Sequence, residues 1–470
     1  LSWFWTVFTI LEIVWVAGLS AWIVLERRPP VATIAWILTL AWLPAVGVVV
    51  YYFLGPRRLT RRKLKRAQAQ KLVDAAIAAI EDEADDKSRG ELAKLAVSAG
   101  EAAPLRAERI DLYTEGRDCL AAQLEAIAAA KHHVHVSYYI WYPDHVGTRF
   151  RDALVAKAKQ GVEVRLLLDW IGAYSTTSRF LAPLVEAGGK IAWFNPVSLT
   201  RLRPRYTNFR THRKIVVCDG LVGFTGGMNI SDEQTAEWHG DRAWRDTHVR
   251  IEGSAVRALQ RVFIEDWSYA CGETPNGPEY LKRATARGEE LVQIVASGPD
   301  ADVYAIHKLI FASIASAHER VLITTPYFVP DEPIVSAMVT AAMRGIDVKV
   351  IVPAAGDSML VDLAARSYFP ELLAAGVRIY EYLPRFVHAK TIVIDRDLAI
   401  VGSANMDNRS FRLNFEVCAA VYGGQFAQRL AAVFEDDLAE CREVKARQLD
   451  REPLVQRLGE ATARLFSPML

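Results

Sequence analysis

The chain has 470 residues, 51% of them hydrophobic, and 56 Lys and Arg against 55 Asp and Glu leave a formal net charge of +1. That length accommodates two or three domains, each with a core of its own, and the near-neutral balance gives no global sign of a polyanionic partner. Cys119, Cys218, Cys271, Cys418 and Cys441 are odd in number and unpaired in spacing, which argues against a disulfide framework and suits reduced thiols in a cytosol-facing domain.

Two apolar runs open the chain. Residues 1–25 carry one charge, Glu12, and residues 31–54 carry none. Each is long enough to cross a hydrocarbon core of about 30 Å as a helix rising about 1.5 Å per residue. Trp3, Trp5, Tyr51 and Tyr52 lie near the run ends, where interfacial aromatics are expected, and Glu26 to Pro30 make a tight polar turn. Residues 1–54 are therefore expected to form a transmembrane helical hairpin. A cleaved signal peptide is disfavoured, because the first run has neither a basic leader nor a small-residue cleavage site. Glu12 marks either an interhelical or lipid-head contact, or a side chain that snorkels to the interface.

Residues 55–105 read as a basic juxtamembrane segment followed by a linker helix. Seven Lys or Arg and no acid fall in residues 57–66, against two arginines in the hairpin turn. This asymmetry places the large C-terminal portion on the cytoplasmic side, and the basic run suits anionic lipid head groups. Leu72, Val73, Ile77 and Ile80 form a helical stripe within 67–88, ending in the acidic run Glu81 to Asp86. Breaks are expected at 86–90 and at 100–104.

Strand and helix signals then alternate. Helices are expected over 120–130 and 150–159 with strands over 133–139 and 162–168; a second series places helices over 305–317 and 334–343 with strands over 321–325 and 346–352. The phrases Gly161 to Arg165 (GVEVR) and Gly345 to Lys349 (GIDVK) are related on sight, as are Ala187 to Ile191 and Ala375 to Ile379. The fold class is α/β, in two halves over 106–280 and 281–470 that pack face to face around one composite site.

One short pattern occurs in both halves. It runs His212-Arg213-Lys214, Asp219, then Gly226-Gly227-Met228-Asn229, and again His388-Ala389-Lys390, Asp395, then Gly402-Ser403-Ala404-Asn405. The differences 388 − 212, 395 − 219 and 405 − 229 all equal 176, so the copies are in register. In extended chain, positions i and i+2 face one side, so each His points with its Lys. An imidazole, an ammonium and an amide suit a phosphate-like anion, as nucleophile or acid, as charge and as donor. A protonated lysine has no lone pair for a metal.

This arrangement, H-x-K-x4-D followed by G-G/S-x-N, resembles the phospholipase D superfamily from near Leu112 to the end. The strings His212 to Gly220 (HRKIVVCDG), Gly402 to Phe411 (GSANMDNRSF), Trp244 to His248 and Asn414 to Glu416 resemble bacterial cardiolipin synthases within it.

The resemblance implies two phospholipase D-like α/β halves packed as a pseudo-dimer in a multi-pass protein of the bacterial inner membrane. Its motif set is His212, Lys214, Asp219, His388, Lys390 and Asp395, with His212 as nucleophile and His388 as general acid, supported by Asn229 and Asn405. It further implies that Asp246 and Glu416 orient the two imidazoles. Asp219 and Asp395, at strand ends, are assigned to holding the motif turns, with a direct catalytic part left open. Asp407 and Arg409 contact the lipid head group or form a structural salt bridge. The implied substrate is phosphatidylglycerol and the implied product cardiolipin, with no metal or organic cofactor and no nucleic acid. Hydrolysis to phosphatidate, or an acceptor such as phosphatidylethanolamine, is compatible with the same residues.

Overall fold

The computed structural model describes residues 2–25, 30–42, 66–73, 90–197, 208–282, 288–449 and 452–470. The N-terminal unit holds two apolar helices, Ser2–Leu25 and Pro30–Trp42, in contact with each other, with Ile23 and Leu40 buried. Pro30 opens the second helix at a position whose N–H would have no intrahelical partner. Among the described residues no helix is long and apolar enough to cross a membrane. The continuation of the second run past Trp42, the basic run up to residue 65 and the Glu12 side chain lie outside the described residues.

The larger unit contains two mixed sheets that repeat one topology. In the first, the parallel strands His133–Tyr138, Glu163–Asp169 and Lys190–Phe194 stand beside the antiparallel strands Ile215–Cys218, Val222–Gly226, His248–Glu252 and Arg109–Tyr113. In the second, Arg320–Thr324, Asp347–Pro353 and Arg378–Tyr382 are parallel, and Thr391–Ile394, Leu398–Gly402, Glu416–Tyr422 and Leu291–Ser297 follow antiparallel in the same spatial order. The parallel connections are made by helices, among them His145–Lys159 and Glu332–Met343, which N-cap on Asp144 and Asp331 side chains. Ile215–Cys218 and Thr391–Ile394 are buried on both faces, as apolar four-residue runs covered by helices must be. The five cysteines are free.

Two features differ from the sequence reading. Helix Glu91–Ser98 forms between the two expected breaks; at eight residues it is too short for a legible stripe, and it holds by burying Ala93 and Ala96 against the second sheet's core. Strand Leu105–Arg106 pairs antiparallel with Leu291–Val292, so the chain entering the first half adds an edge to the second sheet, across the expected boundary at 105/106. Of the linker helix, residues 66–73 are helical and residues 74–89 lie outside the described residues, as do 283–287 near the boundary between the halves.

Candidate active site

Each His-x-Lys segment is extended and borrows its pairing from the opposite half. Thr211 bridges Phe415 in parallel and Arg245 bridges Val387. The His212 N–H donates to Phe415 O at 2.9 Å, and the His388 N–H to Arg245 O at 2.7 Å. A bidentate pair from Arg245 to Asp437, at 2.9 and 2.8 Å, holds the second crossing in place.

The imidazoles are held by the same exchange. His212 Nδ1 lies 3.1 Å from both carboxylate oxygens of Glu416 and 3.0 Å from Ser403 O. His388 Nδ1 lies 2.6 Å from Asp246 Oδ2. Both nitrogens meet only acceptors, so both carry the proton, and the Nε2 lone pairs are left for chemistry. Glu416 also accepts from the Ser403 hydroxyl and from Asn414 Nδ2 at 3.2 Å. Asp246 accepts the Thr247 N–H at 2.7 Å. Gly227 is required here, because a Cβ at that position would sit 2.1 Å from Asp246 Oδ1.

Lys214 and Lys390 are buried, and each ammonium donates to the carbonyl of its own histidine, Lys214 to His212 O at 2.8 Å. Burial brings Lys214 down to about 7, with the Lys390 charge pushing the same way. Burial likewise brings Lys390 down to about 8, against the pull of Asp246 and Glu416. His212 is lowered by burial and by both lysines, with Glu416 opposing. His388 is lowered by burial and then by Lys390. Burial raises Asp246 and Glu416, but Lys390 and His388 beside Asp246, and the His212 contact and then Lys214 beside Glu416, outweigh it and both are lowered overall. These shifts describe a site of neutral imidazoles, ionised carboxylates and two ammonium groups whose charge an anionic ligand would stabilise.

Asp219 and Asp395 make the backbone hydrogen bonds expected of residues that hold the motif turns. Each lies past the far end of its motif strand, a strand length of about 13 Å, in the left-handed conformation at φ 54° and 51°. Asp219 accepts the N–H groups of Lys131, His132 and His133 at 2.8, 2.7 and 3.0 Å, and Asp395 those of His318, Glu319 and Arg320. Asx side chains tolerate this conformation and bond nearby amides; here they clamp each motif strand to its antiparallel neighbour, His133–Tyr138 or Arg320–Thr324.

Asn229 and Asn405 are both 4% exposed; among the described residues Asn229 Nδ2 and Asn405 Oδ1 have no hydrogen-bond partner. Asp407 caps the short helix Asn408–Arg412 through Ser410 N at 2.6 Å, and its burial raises it to about 6. Arg409 donates to Asn208 O at 3.1 Å.

Several residues to which the sequence reading assigned no role also pack against the site. Tyr139 sets its ring edge to His212 with centroids 5.1 Å apart, and Trp244 lies 4.8 Å from His388. Arg213, fully buried, bonds Asp266 at 2.5 Å, Glu416 O at 3.0 Å and Ser297 O at 3.1 Å. Alternation along the strand could have found Arg213, since it must point away from its flanking His and Lys.

A family model described as "Cardiolipin synthase, PLD-like domain" matches residues 124–267 and 310–438. Cardiolipin synthase 1 of Bacillus anthracis is 37% identical, covering 99% of this chain and 95% of its own length. Cardiolipin synthase of Alkalihalophilus pseudofirmus is 40% identical, covering 95% and 90%. The crystal structure of phosphatidylserine synthase from Haemophilus influenzae aligns with a TM-score of 0.61 at 16% identity over 81% of this chain and 100% of that one, a likeness of fold. Matched segments in both sheets, and relatives aligned over nearly their whole length, show that the chain belongs to the phospholipase D-like cardiolipin synthase family.

Proposed function

We propose that this enzyme, a phospholipid phosphatidyltransferase, joins two phosphatidylglycerol molecules into cardiolipin and releases glycerol, through a phosphohistidine on His212. The observation that carries this reading is the crossed pairing, in which each imidazole is held at Nδ1 by a carboxylate from the other half. His212 Nε2 attacks phosphorus, the bond from phosphorus to the head-group glycerol oxygen breaks, and His388 gives that oxygen a proton. His388 then takes the proton of the terminal hydroxyl on a second phosphatidylglycerol. That oxygen attacks phosphorus and the phosphorus–nitrogen bond breaks. Lys214 and Lys390 offset charge on the equatorial oxygens, and Asn229 and Asn405 offer amide donors to them. Arrival of the phosphodiester anion raises His388, which supplies the acid form the first step needs.

The division into a hairpin over 1–54, a basic linker over 55–105 and catalytic halves over 106–280 and 281–470 belongs to the same reading. Support for a bilayer-spanning hairpin comes from the apolar runs and from large exposed side chains on their helices, Trp3 at 77% and Trp42 at 82%. The basic run supports a cytoplasmic catalytic portion.

Incubating the full chain with phosphatidylglycerol and following lipids by mass spectrometry tests the reaction. Cardiolipin and glycerol should appear in equal amounts. Phosphatidate as the main product would replace transfer with hydrolysis.

A further inference from the structure

The helix Leu454–Arg464 presents an apolar face to solvent. Leu454, Val455 and Leu458 are 68%, 81% and 58% exposed, and Leu465, Phe466 and Met469 extend the face at 78%, 46% and 48%. Exposed apolar area of this extent marks an interaction surface. The opposite side of the helix is already occupied. Ala463 is buried, and Glu460, the helix's one acid, is 6% exposed and bonded to Arg366 at 3.2 Å. Arg457 lies outside, whereas Arg464 folds back over the Tyr368 ring and pairs with Glu371 at 3.5 Å. The charge this helix turns outward is therefore the single cation of Arg457.

Hydrogen bonds tie this face to the groove. Leu470 O accepts the Arg409 N–H at 2.8 Å, and Ser467 O accepts from Asn408 Nδ2 at 3.1 Å. Arg409 donates to Asn208 O, four residues before His212. Farther along this segment, Asp169 Oδ2 accepts the Thr211 N–H at 3.0 Å, and the turn starting at Asp169 exposes Ile171 and Tyr174 at 41% and 78%. Apolar surface from both halves thus flanks the segment that delivers His212.

We propose that residues 454–469, with Ile171 and Tyr174, form a docking surface for an anionic phospholipid bilayer, seating the groove's rim where its substrate lies. The surface rests on the lipid reading of the site. A bilayer of anionic lipid fits better than a second copy, because the face flanks the segment that delivers His212 to a bilayer lipid, and a second copy seated there would cover that rim, while Arg457 suits an anionic head group.

The test uses the full chain in phosphatidylglycerol-containing proteoliposomes. A nitroxide is placed at Leu458→Cys, with Cys271→Ser and Cys441→Ser in the background, since the other three cysteines are buried. The Leu458 label should be relaxed more by oxygen than by a water-soluble nickel chelate, and a label at exposed Lys131→Cys the reverse. In parallel, Leu454→Glu with Leu458→Glu should lower cardiolipin formation in proteoliposomes about tenfold, while turnover of micellar short-chain phosphatidylglycerol stays near the parent rate. A Leu458 label open to nickel, one shielded from both reagents, or an equal loss on both lipid forms would overturn the docking surface. No cardiolipin from either lipid form in the parent chain would overturn the reading of the site on which it rests.

Discussion

Replacing Asp246 by Asn preserves shape and removes one charge. Asp246 is fully buried, with Oδ1 accepting the Thr247 N–H at 2.7 Å and Oδ2 facing His388 Nδ1 at 2.6 Å. Asparagine keeps the first bond through its oxygen but offers an NH2 group to Nδ1, so the ring must accept there and carry its proton on Nε2. The imidazolium that protonates the departing glycerol then loses its counter-charge, while Lys214 and Lys390 still oppose it. Stripping one partner from a buried charged pair costs about 3–5 kcal/mol. At about 1.4 kcal/mol per tenfold, kcat for cardiolipin formation should fall by about 10² to 10⁴. The assay compares head-group release in the first turnover of phosphatidylglycerol and of a phosphatidyl donor bearing p-nitrophenol, which departs without a proton; there the loss in that first release should shrink to less than about tenfold. Circular dichroism would confirm folding. A kcat on phosphatidylglycerol within about threefold of the parent, or equal losses on the two donors, would refute the general-acid chain from Asp246 to His388.

Glu416→Gln acts on the nucleophile instead, and should slow both donors by about 10² to 10⁴; a loss confined to phosphatidylglycerol would reverse the two roles. Burial brings Lys214 and Lys390 down to about 7 and about 8, and kcat/KM reports the free enzyme, so it should be highest below that window and fall as pH rises through it. A kcat/KM flat to pH 9.5 would contradict lysine charge as the phosphate anchor. Asp219→Ala removes three amide contacts and leaves a left-handed residue without its side chain; it should lower unfolding free energy by about 1–3 kcal/mol in denaturant titration, with near-parent turnover per folded molecule. A stable but inactive variant would restore Asp219 to the catalytic set.

The duplicated motif and the alternation of elements were legible because both depend on local spacing. A fixed offset of 176 residues reports the repeat, and the i, i+2 rule aims each His with its Lys. The carboxylate partners were not legible from spacing: Glu416 lies 204 residues from His212 and Asp246 lies 142 from His388, and they meet because each half feeds the other. Family resemblance supplied those two names. The ring contacts of Tyr139 and Trp244, the shared bonds of Arg213 and the edge strand Leu105–Arg106 likewise arise from packing between halves, which local periodicity does not encode. Asp219 and Asp395 were legible as turn holders from their place at the strand ends, and their positive φ and amide contacts agree with that reading.

A phosphatidyl group bonded to His212 is the most direct sign of the two-step transfer. The His388→Asn variant, given the p-nitrophenyl donor, should gain the mass of one phosphatidyl group in intact-protein mass spectrometry. Peptide mapping should place that group on His212, and His212→Asn should gain none. A group found on His388 in the His212→Asn variant, or no mass gain in either, would contradict attack by His212.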